Sequence, residues 1–268
     1  MKYDIPNIKK YANIMKAHLL TLLWDWKLFI YLIVKDFIKI ISYFNKNHKQ
    51  LEKFRKKYLE ERNKKTKIKK FGKFIFVLRN TDIFSLIEVF VDKEYTSIEN
   101  FIPTKGNIVL DLGSGIGDYT ILSSIKVGSS GRVISVESDE ATFQLLTENI
   151  RRNKLKNVVP LKLFMSSGRK NDIDYIARKF KLKKLDLVKM DIEGEEFKVI
   201  KSSRWSITKF RPKIVIEVHS RNLRNRILKL LQKYKYVLHF ERMKREYGFY
   251  LDYFIPIEMV NRKITLDT

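Results

Sequence analysis

From Lys73 onward the chain alternates short apolar runs with longer amphipathic segments, the texture of strands followed by helices. Strands are predicted at Ile108–Leu112, Arg132–Glu137, Val158–Phe164, Leu185–Asp191, Lys213–Val218, Tyr236–Arg242 and Phe249–Ile255, with helices filling the gaps. Such alternation builds strands joined by helical crossovers. The expected fold is therefore α/β: a Rossmann-like, doubly wound, seven-stranded and mostly parallel sheet. The last two strands are too close for a crossover and are expected to form an antiparallel pair at one edge.

The N-terminal pattern is different. Within residues 1–70 Pro6 is the only proline, and Gly72 is the first glycine of the chain, so two or three uninterrupted helices are expected, forming a basic helical extension over residues 1–70 ahead of an α/β domain over residues 71–268. The apolar stretch Leu19–Phe44 contains Asp25, Lys27, Lys35, Asp36 and Lys39. Its longest uncharged run, Leu28–Val34, falls far short of the roughly 20 residues of a membrane span. On a helix Asp25, Lys35, Asp36 and Lys39 fall within a sector of about 100°, a narrow polar stripe on an apolar rod. Such a rod packs against the α/β domain or a second copy of the chain in a homodimer, or it lies on an anionic bilayer.

Charge sharpens this picture. The formal net charge is +25, and residues 1–70 hold 19 lysines and arginines against 6 acids, so about half of the excess sits there. A surplus of this size implies an anionic partner, although the run Lys46–Lys70 reads as solvated helix and linker rather than as a specific nucleic-acid reader. The absence of cysteine excludes disulfides, thiolate zinc sites and cysteine nucleophiles. Met1–Lys10 is polar and no export signal is read, so the expected setting is cytoplasmic and reducing, and peripheral to a membrane in the case where residues 1–70 lie on a bilayer.

The chemistry concentrates at strand ends. In NIVLDLGSGIGDYT an apolar strand reaches Asp111 and runs into Gly113, Gly115 and Gly117 before a helix. Glycines allow the sharp turn and the close approach of backbone to a nucleotide-like ligand at the carboxyl edge of the sheet. The third glycine of a pyrophosphate fingerprint would stand where Asp118 stands, which weakens a dinucleotide and hence a dehydrogenase. An acid at Asp111 instead suits the ammonium and sulfonium of S-adenosyl-L-methionine. One strand later, Glu137 is placed to accept bonds from two ribose hydroxyls. LDLVKMDIEGEEFKVIKS and PKIVIEVHS then bring Asp191, Glu193, Glu217 and His219 toward one cleft beside the reacting methyl group.

Through these motifs residues 71–255 resemble the FkbM family of class I methyltransferases, which act largely on hydroxyls of sugars and sugar-derived compounds. DIEGEEFKVIKS is similar to the family's D-x-E-G-x-E-x-x-V-L-K-G, and PKIVIEVH to its P-x-I-I-x-E-x-H. The segment VFVDKEYTSI resembles the one upstream of the family's glycine loop, which implies that Glu94 and Tyr95 border the cofactor. The loop departs from the family's usual Ala-Asn between its first two glycines, Glu195 replaces a small residue, and Ser167 stands where many members have an acid.

The resemblance implies O-methylation of a sugar, glycan or lipid-linked saccharide, with S-adenosyl-L-methionine as cofactor and His219, Asp191 or Glu193 as base. Metal-free transfer ranks above transfer assisted by a divalent metal on the acid cluster. A nucleic-acid acceptor ranks lower: no Asn/Asp-Pro-Pro-aromatic loop follows the fourth strand and there is no cysteine, which leaves RNA ribose methylation open. A non-catalytic Rossmann-like binding module is a further alternative.

Overall fold

The computed structural model describes residues 66–168, 170–244 and 249–260. The expected N-terminal helices lie outside these residues, apart from 66–70. The chain divides into two compact units, Met1–Lys93 and Glu94–Thr268.

In the first unit β1 (Lys67–Phe71) and β2 (Phe74–Leu78) form an antiparallel hairpin. Residues 67–70, which the sequence places in the helical extension, are thus extended. Gly72, at φ +58°, supplies the left-handed turn that lets KIKKF fold back on FIFVL, and cross-strand pairing overrides the helical preference of the lysines. Phe90 packs at 5.4 Å from the rings of Phe71 and Phe74. It projects from the single-turn π-helix Ile87–Val91 that follows α1 (Ile83–Leu86).

The second unit carries β3 (Ile108–Leu112), α2 (Asp118–Val127), β4 (Arg132–Glu137), α3 (Glu140–Arg152), β5 (Val158–Lys162), α4 (Ile173–Lys179), β6 (Leu187–Met190), α5 (Glu196–Ser202), α6 (Arg204–Phe210), β7 (Lys213–Val218), α7 (Arg221–Lys233), β8 (Tyr236–Lys244), β9 (Phe249–Pro256) and α8 (Ile257–Val260). All seven strands predicted from sequence form one sheet, in the order β5-β4-β3-β6-β7-β9-β8. β3, β4 and β7 have the predicted bounds, whereas β5 stops at Lys162 and β6 is confined to Leu187–Met190. β3 to β7 are parallel, and β9 runs antiparallel to β7 and β8, one place in from the edge that β8 occupies. The fold is Rossmann-like α/β with a mostly parallel seven-stranded sheet.

Right-handed crossovers explain the layers. Moving outward from β3 to β5 they place α2 and α3 on one face; returning through β6 and β7 they place α4, α5, α6 and α7 on the other. There Ile176, Val199, Ile207, Ile227 and Leu231 share one core with Leu110, Ile134, Val188 and Ile214 of the sheet. In α7, Leu223, Ile227 and Leu231 recur every four residues on one stripe, and the Ser220 hydroxyl caps the helix by accepting from the Leu223 amide at 3.1 Å. Full burial of each such side chain contributes roughly 1.5–3 kcal/mol. The chain reverses its winding between β3 and β6, and the crevice beyond their carboxyl ends is where ligands of open α/β sheets bind.

Candidate active site

A cleft of about 360 Å³ opens at that switch point, lined by the glycine loop, the ends of β4 and β5 and the turn after β6. The three glycines of the loop share a left-handed backbone but differ in the space around them. A Cβ on Gly113 (φ +72°) would lie 1.7 Å from the carbonyl oxygen of Asp191, so this glycine lets the loop close against the turn after β6. At Gly115 (φ +54°) a Cβ would meet nothing within 4 Å, and the residue lines the cleft. Gly117 instead packs against Leu146 of α3 and introduces α2.

Glu137 ends β4 and faces this loop. Its Oε2 accepts from the Gly115 amide at 3.0 Å, and its Oε1 accepts from the amides of Ser138 and Asp139 at 2.8 and 2.9 Å. Three backbone donors therefore fix the carboxylate in place.

Asp111 lies elsewhere than the sequence suggests. Its side chain is fully buried and is not among those lining the cleft. Oδ2 accepts from the Thr120 hydroxyl at 2.6 Å, and Oδ1 is 3.4 Å from the Lys189 ammonium. Charge compensation comes from within the protein because β3 and β6 are neighbours, with Asp111 directly opposite Lys189. Lys189 also donates to the Gly113 carbonyl at 2.7 Å, lies 3.9 Å from Asp191 and sits over the Tyr95 ring at 5.3 Å. Burial alone would depress its ammonium, but Asp111, Asp191, Asp118 and Glu217 hold it above its ordinary range.

The turn after β6 presents Asp191 and Glu193 to the cleft. Glu193 is a non-glycine residue at φ +53°, a conformation that costs about 1 kcal/mol or more. Glu196, fully buried at the start of α5, braces it: Oε1 accepts from the amides of Ile192 and Gly194 at 3.2 and 3.0 Å. Burial pushes the Glu196 carboxyl above the usual carboxylate range, against these bonds.

β7 delivers Glu217 and His219. The His219 Nε2 is 3.2 Å from Glu217 Oε1 and 3.8 Å from Glu193 Oε2. Hydrogen bonding to Glu217, opposed by partial burial and supported by Glu193, Glu217 and Asp191, raises the imidazole to about 9. Asp191, Glu217 and His219 each place one potential ligand atom within 4.8 Å of the others, a grouping able to hold a divalent cation. Tyr95 donates from its hydroxyl to Glu217 Oε2 at 3.3 Å, whereas Glu94 is buried and its carbonyl accepts from the Tyr253 hydroxyl. Asp191 thus joins two groups of predicted residues: Gly113, Gly115, Glu137 and Glu193 along the cleft, and Glu217 and His219 beside it.

Sequence reasoning missed the wall at the end of β5. Leu163, Phe164 and Met165 line the cleft, and Phe164 is 57% exposed. An apolar residue ending a strand reads as core, so its exposure carried no signal. Glu195 completes this side, accepting from the Ser166 hydroxyl at 2.5 Å and from Lys198 at 2.6 Å.

Comparison with known proteins agrees with the fold. The methyltransferase FkbM domain matches residues 169–238, and the TRM5/TYW2 methyltransferase domain matches residues 87–201. A probable cobalt-precorrin-6B C(15)-methyltransferase (decarboxylating) of Saccharolobus solfataricus is 30% identical over 134 residues, 50% of this chain and 63% of that protein. The chain thus spans less than two thirds of this relative. A tRNA(Phe) (4-demethylwyosine(37)-C(7)) aminocarboxypropyltransferase of Methanocaldococcus jannaschii is 36% identical over 61 residues, 23% of this chain and 24% of that protein. The structure of Aeropyrum pernix fibrillarin with natively bound S-adenosyl-L-methionine superposes with a TM-score of 0.50 at 14% identity, covering 72% of this chain and 84% of fibrillarin.

Proposed function

We propose that the chain is a class I S-adenosyl-L-methionine-dependent methyltransferase acting on a hydroxyl group of a sugar. The observation that carries the reading is the placement of Glu137 and Asp191 in one cleft around a left-handed glycine loop. Glu137, fixed by loop amides at the end of β4, would accept the two ribose hydroxyls of adenosine; the exposed Phe164 ring would stack on the adenine, and the open space at Gly115 supports the same reading. Partial matches to two methyltransferase domains support the same reaction class.

When bound, the cofactor supplies an electrophilic methyl group whose sulfur keeps the electron pair of the broken bond. The protein's part is alignment and proton removal. Asp191, common to the cleft and the Glu217–His219 pair, accepts the hydroxyl proton as the new oxygen–carbon bond forms. His219, protonated at neutral pH, donates a hydrogen bond that orients the acceptor. If Asp191→Asn and His219→Ala both turn over near the wild-type rate with cofactor binding intact, this assignment is wrong.

Calorimetric titration with S-adenosyl-L-methionine and S-adenosyl-L-homocysteine tests the cofactor. Binding in the micromolar range that is lost in Glu137→Ala is expected; no binding to the wild-type protein overturns the proposal. A second reading narrows the acceptor sugar to the ribose of RNA. An RNA acceptor is favoured by the partial likeness to a tRNA(Phe)-modifying transferase and by the +25 net charge.

A further inference from the structure

The cationic surplus is not spread evenly over the second unit. On the face covered by α2 and α3, acids are interspersed with the cations: Arg151 and Arg152 both pair with Glu148 at 2.7 Å, and Lys162 pairs with Glu140. On the opposite face every exposed charged side chain of α4, α5, α6 and α7 is a lysine or arginine. The only acids in these helices, Asp174 and Glu196, are buried. Asp174 accepts from the Ser206 amide at 2.8 Å, so its charge is spent inside the layer.

This one-sided field includes an exposed aromatic. Trp205 on α6 is 43% exposed and stands edge-on to Phe210 at 5.5 Å. Arg204 and Lys209 flank it, and Lys209 lies 4.6 Å above its ring. The field also begins at the cleft: Glu195 lines the cleft and pairs with Lys198 on the first turn of α5, from which Lys201, Arg204 and Lys209 lead away over the helical layer.

We infer that the α4–α7 face is a docking surface for single-stranded RNA, along which an acceptor strand is led to the cleft. Phosphates meet the lysines and arginines, and an unstacked base packs on Trp205, the combination by which proteins hold single strands. A bilayer is a poorer fit, because Trp205 is the only large apolar side chain exposed on these helices. The choice of RNA over DNA rests on the methyl-transfer proposal, since only ribose offers a free 2′-hydroxyl.

The test uses the full chain, fluorescein-labelled single-stranded RNA and anisotropy over a range of salt. The triple variant Lys201→Glu, Arg204→Glu, Lys209→Glu is expected to bind about tenfold or more weakly, with a salt slope shallower by about one per residue. Trp205→Ala is expected to weaken binding about tenfold with the slope unchanged. Circular dichroism and S-adenosyl-L-methionine calorimetry should match wild type for both variants.

Wild-type affinity and slope in the triple variant would overturn the inference and assign RNA binding elsewhere, including residues 1–65. Absence of RNA binding by the wild type overturns it too. So does equal affinity for DNA of the same sequence, or loss of acidic-vesicle binding in the triple variant with RNA binding kept. A wild-type protein that binds RNA through this face but not S-adenosyl-L-methionine would sink the methyl-transfer proposal and leave the face standing.

Discussion

The Lys189 ammonium lies 3.4 Å from the Asp111 carboxylate, with the two side chains only 5% and 0% exposed. A buried pair of this kind is strong evidence of mutual dependence, because either charge alone would be stranded away from water. Lys189→Met should lower stability by about 3–5 kcal/mol, and Lys189→Met combined with Asp111→Leu should lose less than the two single variants added together. Urea unfolding of the four proteins checks this; strict additivity would show that the pair is not coupled.

Gly113 and Gly115 should fail in different ways. Gly113→Ala drives a methyl group into the Asp191 carbonyl, so the loop must shift and the fold should melt several degrees lower. Gly115→Ala meets open space and costs about 1–2 kcal/mol for its left-handed backbone, but its methyl group enters the cleft. It should fold and lose cofactor affinity, as thermal melts beside calorimetry will show.

Phe164→Ala should raise the dissociation constant for S-adenosyl-L-methionine about tenfold through loss of an aromatic contact worth roughly 0.5–1.5 kcal/mol and of apolar area. Its melting temperature should hardly move, since the ring is more exposed than buried. A large fall in stability with affinity unchanged would place the ring in the core instead.

His219 makes a pH prediction. Its folded-state value, about 9, lies above the ordinary 6.5, so the proton favours the folded state. That contribution is complete below the ordinary value and is lost as pH rises through about 9. Methyl transfer that depends on the protonated imidazole should fall over the same upper range. A proton NMR titration of His219 should give a value near 9 in wild type and a lower one in Glu217→Gln; an unshifted value in the variant removes Glu217 as the cause.

Much of this could be read from sequence. The parallel strands were legible because each is a short apolar run bounded by turn residues, and Glu137 because it follows a glycine loop by one strand-helix-strand unit. What escaped depended on neighbours distant in the chain. Asp111 could not be seen to face Lys189 without the pairing of β3 with β6, nor Phe164 to be solvent-facing without the opening beyond β5. The hairpin of β1 and β2 escaped because lysine-rich KIKKF suggests a helix, and only Gly72 hints at the reversal.

β9 has a consequence for how the molecule is made. It is the last strand among the described residues, yet it pairs with both β7 and β8, which are not neighbours without it. On the ribosome, β3 to β7 can assemble as soon as they emerge, while β8 has no adjacent partner until Phe249–Pro256 has been synthesised. Until then the flanks of β7 and β8 expose unpaired backbone, and a chain stalled near residue 248 should be held by chaperones or aggregate through those edges.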